Sequence, residues 1–306
     1  MKDERRRPGA ANAAGADSGV FADPVITVAP GRDACPLVLA SPHSGREYPA
    51  SFRASSRLSA LDLRRSEDAF VDLLIADAPA HGAWMIQARY PRAFCDVNRE
   101  PYELDPAMFA DPLPDYVNTS SLRVINGLGT IARIVAEGKE IYNRPLTFAE
   151  AEARIDGIYR PYHAALSAAI GRVLARWGYC IVLDCHSMPA VIHHGEGMMA
   201  ENADMVIGDR YGGSCSRDLS DFTEMNLRHL GFTTARNRPY AGGFTTSYYS
   251  RPPKVQVLQL EINRRLYMDE ARIEPHKGFD GIRRRLGRFI ADLCAYARHR
   301  QSRAAE

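Results

Sequence analysis

The 306-residue sequence has no marked excess of charge of one sign and no long apolar run. Lys and Arg number 39 and Asp and Glu number 37, which gives a formal net charge of +2 at pH 7. A basic stripe that would indicate nucleic-acid binding is missing, and no segment approaches the roughly 18 apolar residues of a membrane span. We therefore expect a soluble, cytoplasmic protein that binds neither nucleic acid nor membrane.

The sequence also lacks any CxxC pair. Several of its six cysteines lie in apolar segments, where a free thiol behaves as a small hydrophobic group. This pattern argues against a disulfide scaffold and against a thiolate zinc site, and it fits a reducing compartment. The cysteines are Cys35, Cys95, Cys180, Cys185, Cys215 and Cys294.

The first 20 residues have few large apolar side chains, and no apolar segment of a secretory signal follows their arginines. We predict a disordered tail over 1–20, followed by a single domain over 21–306. Within that domain, residues 100–128 are rich in Pro, Asp and Gly. This composition predicts a long loop that serves either as a lid or as an insertion.

Strand-like and helix-like segments alternate along the domain, which predicts an α/β fold. Thr147 and Glu150 have the spacing of a capping box, and we expect one long helix or two after them, with a kink at Pro161. A further helix is predicted over 66–82. The segment from about 279 to 298 is predicted to be an amphipathic helix whose arginines face solvent.

Three apolar segments each lead to titratable side chains. One leads to His43, the second to Asp184 and His186, and the third to Glu261. In a parallel sheet the carboxyl ends of the strands share one rim, where open α/β sheets bind ligands. Two imidazoles and a carboxylate suit zinc and leave a fourth position for water, whose pKa the cation lowers towards about 7. The sequence therefore predicts a zinc site at this rim.

Other kinds of active site have less support. The GxSxG elbow of serine hydrolases and the HExxH helix of zinc proteases are absent. Asp184 and His186 form an Asp-x-His pair like that of two-metal phosphoesterases, but a Gly-Asn-His segment is missing. Cys185 would point to the opposite face of the strand, into the core. We expect Asp184 to orient a ligand histidine rather than to bind the metal.

Seven motifs resemble, in sequence and in order, those of the N-formylglutamate amidohydrolase (formylglutamate deformylase) family. They span roughly residues 36–271, and seven ordered matches are far more specific than any one of them. The resemblance implies a zinc-dependent amidase with a carboxypeptidase-like core, in which three α/β/α layers contain a mixed sheet. The motifs are SPHSG, CDVNREP, YRPYHAAL, DCHSMP, GDRYGGSC, GGFTTSYYSRP and LQLEINRRLYMDE.

The resemblance also implies which residues bind the metal. His43 and His186 match the metal histidines of the family, and Asp68 matches its acidic ligand. That acid is usually preceded by Asp-Thr in the family, whereas this sequence has Ser-Glu before Asp68. Glu67 and Glu47 therefore stay as alternative third ligands.

The same comparison implies the residues that act on the substrate. Glu261 matches the carboxylate that is the general base of carboxypeptidase-like enzymes. Asn98 and Arg99 match a pair that holds a substrate carboxylate, a role that suits the bidentate geometry of guanidinium. Three further candidates for substrate binding are Arg92, Thr246 and Tyr249, although Arg92 could lie on the surface and Tyr249 could only pack its loop.

One departure concerns the side chain of the substrate. An arginine in the Ile-Thr-Arg-His-Tyr loop of the family falls where this sequence has Ser247. A second substrate carboxylate would then need another cation, for which Arg251 and Arg46 are candidates. His193 and His194 lie in a glycine-flanked loop and could gate the site, but we do not count them as ligands.

These residues together predict a zinc-dependent amidohydrolase that cleaves a small N-acyl amino acid, most concretely N-formyl-L-glutamate. The alternative within this class is a different N-acyl amino acid. Two other classes stay open. A catalytically silent binding protein for an acylated amino acid would not need Glu261, and a metallophosphoesterase would need a second metal site.

Overall fold

The computed structural model describes residues 21–31, 33–135, 138–190 and 203–304, so the predicted tail over 1–20 lies outside the described residues. Its main sheet has seven strands, and a separate hairpin pairs β8 (Met268–Asp269) with β9 (Glu274–Pro275). The strands of the sheet are β1 (Val25–Val28), β2 (Leu37–Ser41), β3 (Trp84–Ala88), β4 (Cys180–Met188), β5 (Met205–Gly208), β6 (Thr234–Arg236) and β7 (Val255–Asn263).

The sheet is mixed, and its centre is parallel. The strands follow the order β1-β3-β2-β4-β7-β5-β6. The four neighbours β3, β2, β4 and β7 run in the same direction, whereas β1 is antiparallel to β3 and β5 is antiparallel to β7. Every residue of β2 and β4 is buried, as expected for parallel strands that are covered on both faces.

Nine α-helices lie among the described residues. They are α1 (Ala50–Ser55), α2 (Ala60–Arg64), α3 (Val71–Leu74), α4 (Leu122–Ile125), α5 (Phe148–Arg154), α6 (Arg160–Trp177), α7 (Arg217–His229), α8 (Phe244–Tyr249) and α9 (Phe279–Ala304). None of these helices combines the length and the apolar character that crossing a bilayer requires.

Helices cover both faces of the sheet. Tyr162 and Leu166 of α6 share a buried apolar cluster with Val38 and Val182 on one face. On the other face, side chains of α3, α7 and α9 pack in a second cluster that contains alternate residues of the same strands, such as Leu39. The side-chain alternation of each strand thus feeds two cores. The predicted α/β/α arrangement around a mixed sheet is confirmed.

The helical segment after Thr147 follows the prediction closely. Thr147 and Glu150 form the capping box. A π-helical turn, Ile155–Tyr159, then separates α5 from α6 just before Pro161. Pro161 lacks a backbone N–H, so the regular hydrogen-bond ladder is interrupted there.

The predicted helix over 66–82 is wrong in extent. Only Val71–Leu74 is α-helical, followed by a 3₁₀ turn at Ala78–His81. Phe70, with φ of 66°, has a left-handed backbone that ends any helix on its N-terminal side. The break leaves Asp68 in a turn, from which its side chain reaches the rim of the sheet.

The long helix α9 should contribute much of the stability of one core. Phe289 on this helix is fully buried in the second cluster. Replacing Phe289 with Ala should lower the free energy of unfolding by about 3–5 kcal/mol, through lost burial and an unfilled cavity. Urea denaturation measures this change. The exposed neighbour Arg288 is the control, and an equal loss in Arg288→Ala would contradict the packing argument.

Candidate active site

The parallel strands bring the predicted residues to one rim of the sheet. His43 follows the end of β2, and His186 lies on β4, which continues two residues further to Met188. The β4–β7 register places His186 directly opposite Glu261. The backbone N–H of Asp68 donates to the carbonyl oxygen of His43 (3.0 Å), so the turn that carries Asp68 is attached to the same rim.

Three buried side-chain atoms converge at this point. Nδ1 of His43 lies 3.1 Å from Nδ1 of His186, and Oδ2 of Asp68 lies 3.2 Å and 3.0 Å from these two nitrogens. All three side chains are at most 5% exposed. Within the described residues, this is the one cluster of three or more His, Cys, Asp or Glu side chains with the geometry to hold a metal ion.

The outer nitrogens of both rings face carboxylates. Nε2 of His43 lies 2.7 Å from Asp96 Oδ1, and Nε2 of His186 lies 3.0 Å from Asp184 Oδ2. A carboxylate only accepts, so each of these contacts suits a ring hydrogen on Nε2. With the hydrogen on Nε2, the Nδ1 lone pairs of both rings would point with Asp68 Oδ2 at one centre, which is the arrangement that a metal ion requires. The donor set therefore fits a metal ion.

Protonation of His186 would be the alternative to a metal. Burial lowers the pKa of His186, but the charge of Asp184 and its hydrogen bond outweigh burial and raise the pKa well above its usual value. Burial likewise raises the pKa of Asp68, but the hydrogen bonds of His186 and His43 hold it well below its usual range. The cluster is thus built to concentrate positive charge at its centre.

Asp68, rather than either alternative acid, reaches the two histidines. Its Oδ1 accepts from Ser187 Oγ (3.1 Å) and from Arg264 (3.3 Å), which leaves Oδ2 directed at the rings. Glu67 is turned away and accepts from the Tyr48 hydroxyl (2.6 Å). Glu47 is half exposed and pairs with Arg89, which directly follows β3.

The SPHSG segment around His43 holds the turn that carries Asp68 in place. Ser44 Oγ donates to the carbonyl oxygen of Asp68 (2.9 Å) and accepts from the backbone N–H of Asp72 (3.2 Å). A Cβ atom at Gly45 would lie 2.1 Å from the carbonyl oxygen of Tyr90. Because only glycine allows that approach, the SPHSG segment is constrained by packing as well as by its histidine.

Glu261 lies beside the cluster but outside the triad. It is 6% exposed, and Gln259 Nε2 donates to its Oε1 (2.8 Å). Burial raises the pKa of Glu261 to about 7, with the nearby charge of Asp68 acting in the same direction. A carboxylate with such a pKa can both accept and return a proton near neutral pH.

A cavity of about 570 Å³ opens over these groups. Five arginines line it, against the two carboxylates of Asp68 and Glu261, so the cavity is suited to an anionic ligand. Tyr240 and Gln259 line it as well, and neither residue was predicted from the sequence. The arginines are Arg65, Arg92, Arg99, Arg123 and Arg264.

Comparison with known proteins agrees with this geometry. A family model described as N-formylglutamate amidohydrolase matches residues 35–268. The crystal structure of an N-formylglutamate amidohydrolase from Ralstonia eutropha JMP134 is similar with a TM-score of 0.83 and 37% sequence identity, covering 90% of this chain and 99% of that one. The chain belongs to the N-formylglutamate amidohydrolase family.

More distant relatives extend the comparison. Two proteins named N-formylglutamate deformylase, from Pseudomonas putida and Pseudomonas aeruginosa, are each 26% identical over 253 residues, which is 81% of this chain and 86% and 87% of theirs. A gene product of Agrobacterium tumefaciens shares the fold, with a TM-score of 0.63 at 20% identity over 92% of this chain and 96% of that one.

The family's Asn-Arg pair lies beside the cluster, but its two members differ in their contacts. Asn98 Nδ2 lies 3.1 Å from His186 Nε2, and its Oδ1 accepts from the backbone and hydroxyl of Thr245 (2.8 and 3.0 Å). A Cβ atom at Gly243 would lie 2.7 Å from Asn98 Nδ2, so glycine makes room for this arrangement. Asn98 is therefore held against the histidine by protein contacts.

Arg92 and Arg99 meet on Asp96, a residue that received no role from the sequence. Arg92 donates to Asp96 Oδ2 through Nε and a terminal nitrogen (3.1 and 2.8 Å), and a terminal nitrogen of Arg99 lies 3.3 Å from the same oxygen. Burial raises the pKa of Asp96, but the two guanidinium groups and His43 hold it well below its usual range. Asp96 could have been suspected, because it lies in the CDVNREP motif.

Several other predicted residues lie away from the cavity. Thr246 Oγ1 donates to the carbonyl oxygen of Gly243 (2.8 Å). The Tyr249 hydroxyl contacts Nδ1 of His163 (2.8 Å). Neither Thr246 nor Tyr249 is part of the cavity wall. Their helix, α8, presents them to the core. His163 also contacts the carbonyl oxygen of Val97 (2.8 Å).

The two cations proposed as replacements at the substrate side chain are also elsewhere. Arg46 forms an ion pair with Asp72 (3.0 Å), and Arg251 lies over the ring of Tyr248. Neither lines the cavity. Cys185 packs in the second apolar cluster, as predicted. His193 and His194 lie outside the described residues.

Loss of either ligand histidine should remove the metal. We expect His43→Ala and His186→Ala each to weaken metal affinity by more than about 100-fold, since loss of an outer-sphere partner alone costs 10–100-fold. Elemental analysis of the purified variants, with circular dichroism for folding, measures this. The exposed His229 supplies the control variant, and full metal content in both ligand variants would refute the site.

Replacement of Asp68 and replacement of Glu67 should have opposite effects on metal content, although the two residues are adjacent. Asp68→Ala should lose metal, because the carboxylate oxygen nearest the two histidines is removed. Glu67→Ala should keep metal but unfold more easily, because the part-buried Tyr48 hydroxyl and the Arg64 guanidinium lose this carboxylate, at a cost of about 1–3 kcal/mol. Metal content and urea denaturation of both variants test this, and loss of metal only in Glu67→Ala would show that the third ligand is misidentified.

Proposed function

We propose that this protein hydrolyses N-formyl-L-glutamate to formate and L-glutamate with a zinc ion held by His43, Asp68 and His186. The observation that carries the proposal is the juxtaposition of this buried triad with Glu261 at the base of an arginine-lined cavity. Membership of the family supports the same reaction, as do the names of its relatives from Ralstonia and Pseudomonas.

The donor set favours zinc over harder cations. Two imidazole nitrogens and one carboxylate oxygen are the ligands of catalytic zinc sites, whereas magnesium and calcium prefer oxygen alone. A zinc ion there would lower the pKa of water and polarise the carbonyl group of the substrate. The protein contributes the fixed orientations of the two rings through Asp96 and Asp184.

Glu261 is the proton-transfer residue in this proposal. Hydrolysis adds water across the formyl C–N bond, so one proton must leave the attacking water and one must reach the departing amine. Glu261 lies opposite His186 in the β4–β7 register and can accept the first proton and donate the second. Gln259, bonded to its Oε1, fixes the carboxylate for both transfers.

Arg92 and Arg99 would hold the α-carboxylate of the substrate. Each guanidinium retains N–H groups beyond those that it uses on Asp96 and on backbone carbonyls. Holding this carboxylate orients the formyl group over the metal and lowers the entropic barrier to attack. Asp96 therefore connects the substrate-binding arginines to His43 through one carboxylate.

The two other functional classes have less support. A metallophosphoesterase of the two-metal type needs a second ion, whereas the described residues contain one candidate cluster. A silent binding protein has no need for a buried carboxylate opposite a metal histidine. The decisive experiment measures zinc content together with formate release from N-formyl-glutamate. Absence of formate release from the zinc-loaded protein would refute the proposed function.

The substrate range is a separate test of the same proposal. The values of kcat/KM should be highest for N-formyl-glutamate, lower for N-formyl-aspartate, and lower still for N-formyl-methionine and N-acetyl-glutamate. The positive charge of the cavity arginines favours substrates with two carboxylates. The single binding geometry of the substrate favours the formyl group over the acetyl group. Equal efficiency on N-formyl-methionine would mean that the second carboxylate is not recognised.

Replacing Glu261 with Gln keeps the shape of the side chain but removes its ability to accept a proton. The variant should lose roughly 10²-fold or more in kcat, the usual scale for general acid–base catalysis, with unchanged zinc content. Steady-state kinetics and elemental analysis measure both quantities. Glu270→Gln is the control, because Glu270 lies outside the cavity wall. Near wild-type turnover of Glu261→Gln would contradict the role of Glu261 in proton transfer.

A further inference from the structure

The arginines of the cavity differ in how far the protein already satisfies them. Arg92 and Arg99 bind Asp96, and Arg264 donates to Ser187, to the carbonyl oxygen of Glu67 and to Asp68. The Nε atom of Arg65 donates to Asp62 (3.4 Å). In the part of the chain that the structure describes, each of these four cavity arginines therefore has at least one protein hydrogen bond.

Arg123 is the exception among the described arginines of the cavity. Its nearest acidic partner is Glu103, with 3.8 Å between the guanidinium NH1 and carboxylate Oε2, a separation beyond hydrogen-bond length. The carboxylate of Glu103 is itself engaged by the backbone N–H of Glu100 (3.2 Å). The Arg123 side chain is 36% exposed, so an anion in the cavity can reach its N–H groups.

The backbone places Arg123 next to the arginine that would hold the α-carboxylate. The N–H of Leu128 donates to the carbonyl oxygen of Arg123 (2.7 Å), and the carbonyl oxygen of Leu128 accepts from Arg99 Nε (2.8 Å). Burial, together with the charges of Arg92 and Arg123, lowers the pKa of Arg99 to about 10, against the opposing charge of Asp96. The three guanidinium groups are thus close enough to repel one another.

The charge balance of this end of the cavity leaves room for an anion. Arg92, Arg99 and Arg123 face the two carboxylates of Asp96 and Glu103. One positive charge stays uncompensated before any substrate binds and can offset one carboxylate of the ligand. The second carboxylate can accept hydrogen bonds from Arg123, whose guanidinium lies beyond hydrogen-bond length of Glu103. Burying such a carboxylate requires a cationic partner.

We propose that Arg123 binds the side-chain carboxylate of the substrate and so makes the enzyme selective for dicarboxylic N-acyl amino acids. This inference rests on the proposed function. Arg99 and Arg123 both line the cavity and are connected through Leu128, so a ligand whose α-carboxylate is held by Arg99 can present its side-chain carboxylate to Arg123. Arg123 has no part in the proposed metal binding or proton transfer, so it would contribute binding rather than chemistry.

The test compares N-formyl-glutamate with N-formyl-glutamine, which has nearly the same shape but no second charge. The wild-type protein should favour N-formyl-glutamate in kcat/KM by roughly 10- to 100-fold, the scale of a charged hydrogen-bonded contact. Arg123→Gln should abolish this preference by raising KM for N-formyl-glutamate with little change in kcat, as loss of uniform binding does. Arg123→Lys should keep part of the preference.

Arg65→Gln is the matched control, since Arg65 lines the same cavity but is bonded to Asp62. Arg65→Gln should keep the preference for N-formyl-glutamate. If the preference depended only on the total positive charge of the cavity, both Arg65→Gln and Arg123→Gln would reduce it. A wild-type preference near one, or a preference retained in Arg123→Gln, would overturn the inference. Thermal unfolding of each variant verifies that it is folded.

The outcome for Arg123 can be separated from the outcome for the proposed reaction. If the zinc-loaded protein releases formate from neither compound, the proposed function fails. Calorimetric binding of the same two compounds to wild type and Arg123→Gln then decides the inference alone. Tighter wild-type binding of N-formyl-glutamate, lost in Arg123→Gln, would support it, and equal binding of both compounds would overturn it.

Discussion

The parallel pairing of β4 with β7 is the constraint on which the candidate site depends. Its register aligns His186 with Glu261, and Asp184 with Gln259 two residues earlier. A slip of one residue would turn one of the two side-chain sets to the opposite face of the sheet. Because both strands are buried on both faces, the hydrophobic pattern fixes this register strongly, and the positions of metal ligand and carboxylate follow from the packing of the core.

A network of buried charge extends outward from this register. Asp184 and Asp96 each hold the outer nitrogen of one histidine, and Asp96 is held in turn by Arg92 and Arg99. Each carboxylate is costly to bury unless it is paired, so removal of one member would leave its partners uncompensated. The candidate metal triad and the arginines of the cavity are therefore one electrostatic unit, even though they come from distant parts of the sequence.

The sheet and its loops make different contributions to function. The strands and the turns at their carboxyl ends provide His43, His186 and Glu261, whose positions are fixed by the core. The segment 100–128, predicted as a long loop, contains a 3₁₀ turn at Pro106–Met108 and the short helix α4. It brings Arg123 and the carbonyl oxygen of Leu128 to the cavity, so residues that would select the substrate lie on a connecting segment rather than on the sheet.

The sequence by itself determined the fold class, the family, and the three strand ends that meet at the rim, because strand periodicity and ordered motifs are local properties of the chain. Only the tertiary structure decided that Asp68 rather than Glu67 faces the histidines, since neighbouring residues in a turn point in different directions. It also decided that Asp96, Tyr240, Arg123 and Arg264 join the site while Thr246 and Tyr249 pack in the core. These positions depend on contacts between segments that are not neighbours along the chain, such as Arg264 with Asp68, and no local pattern encodes such contacts.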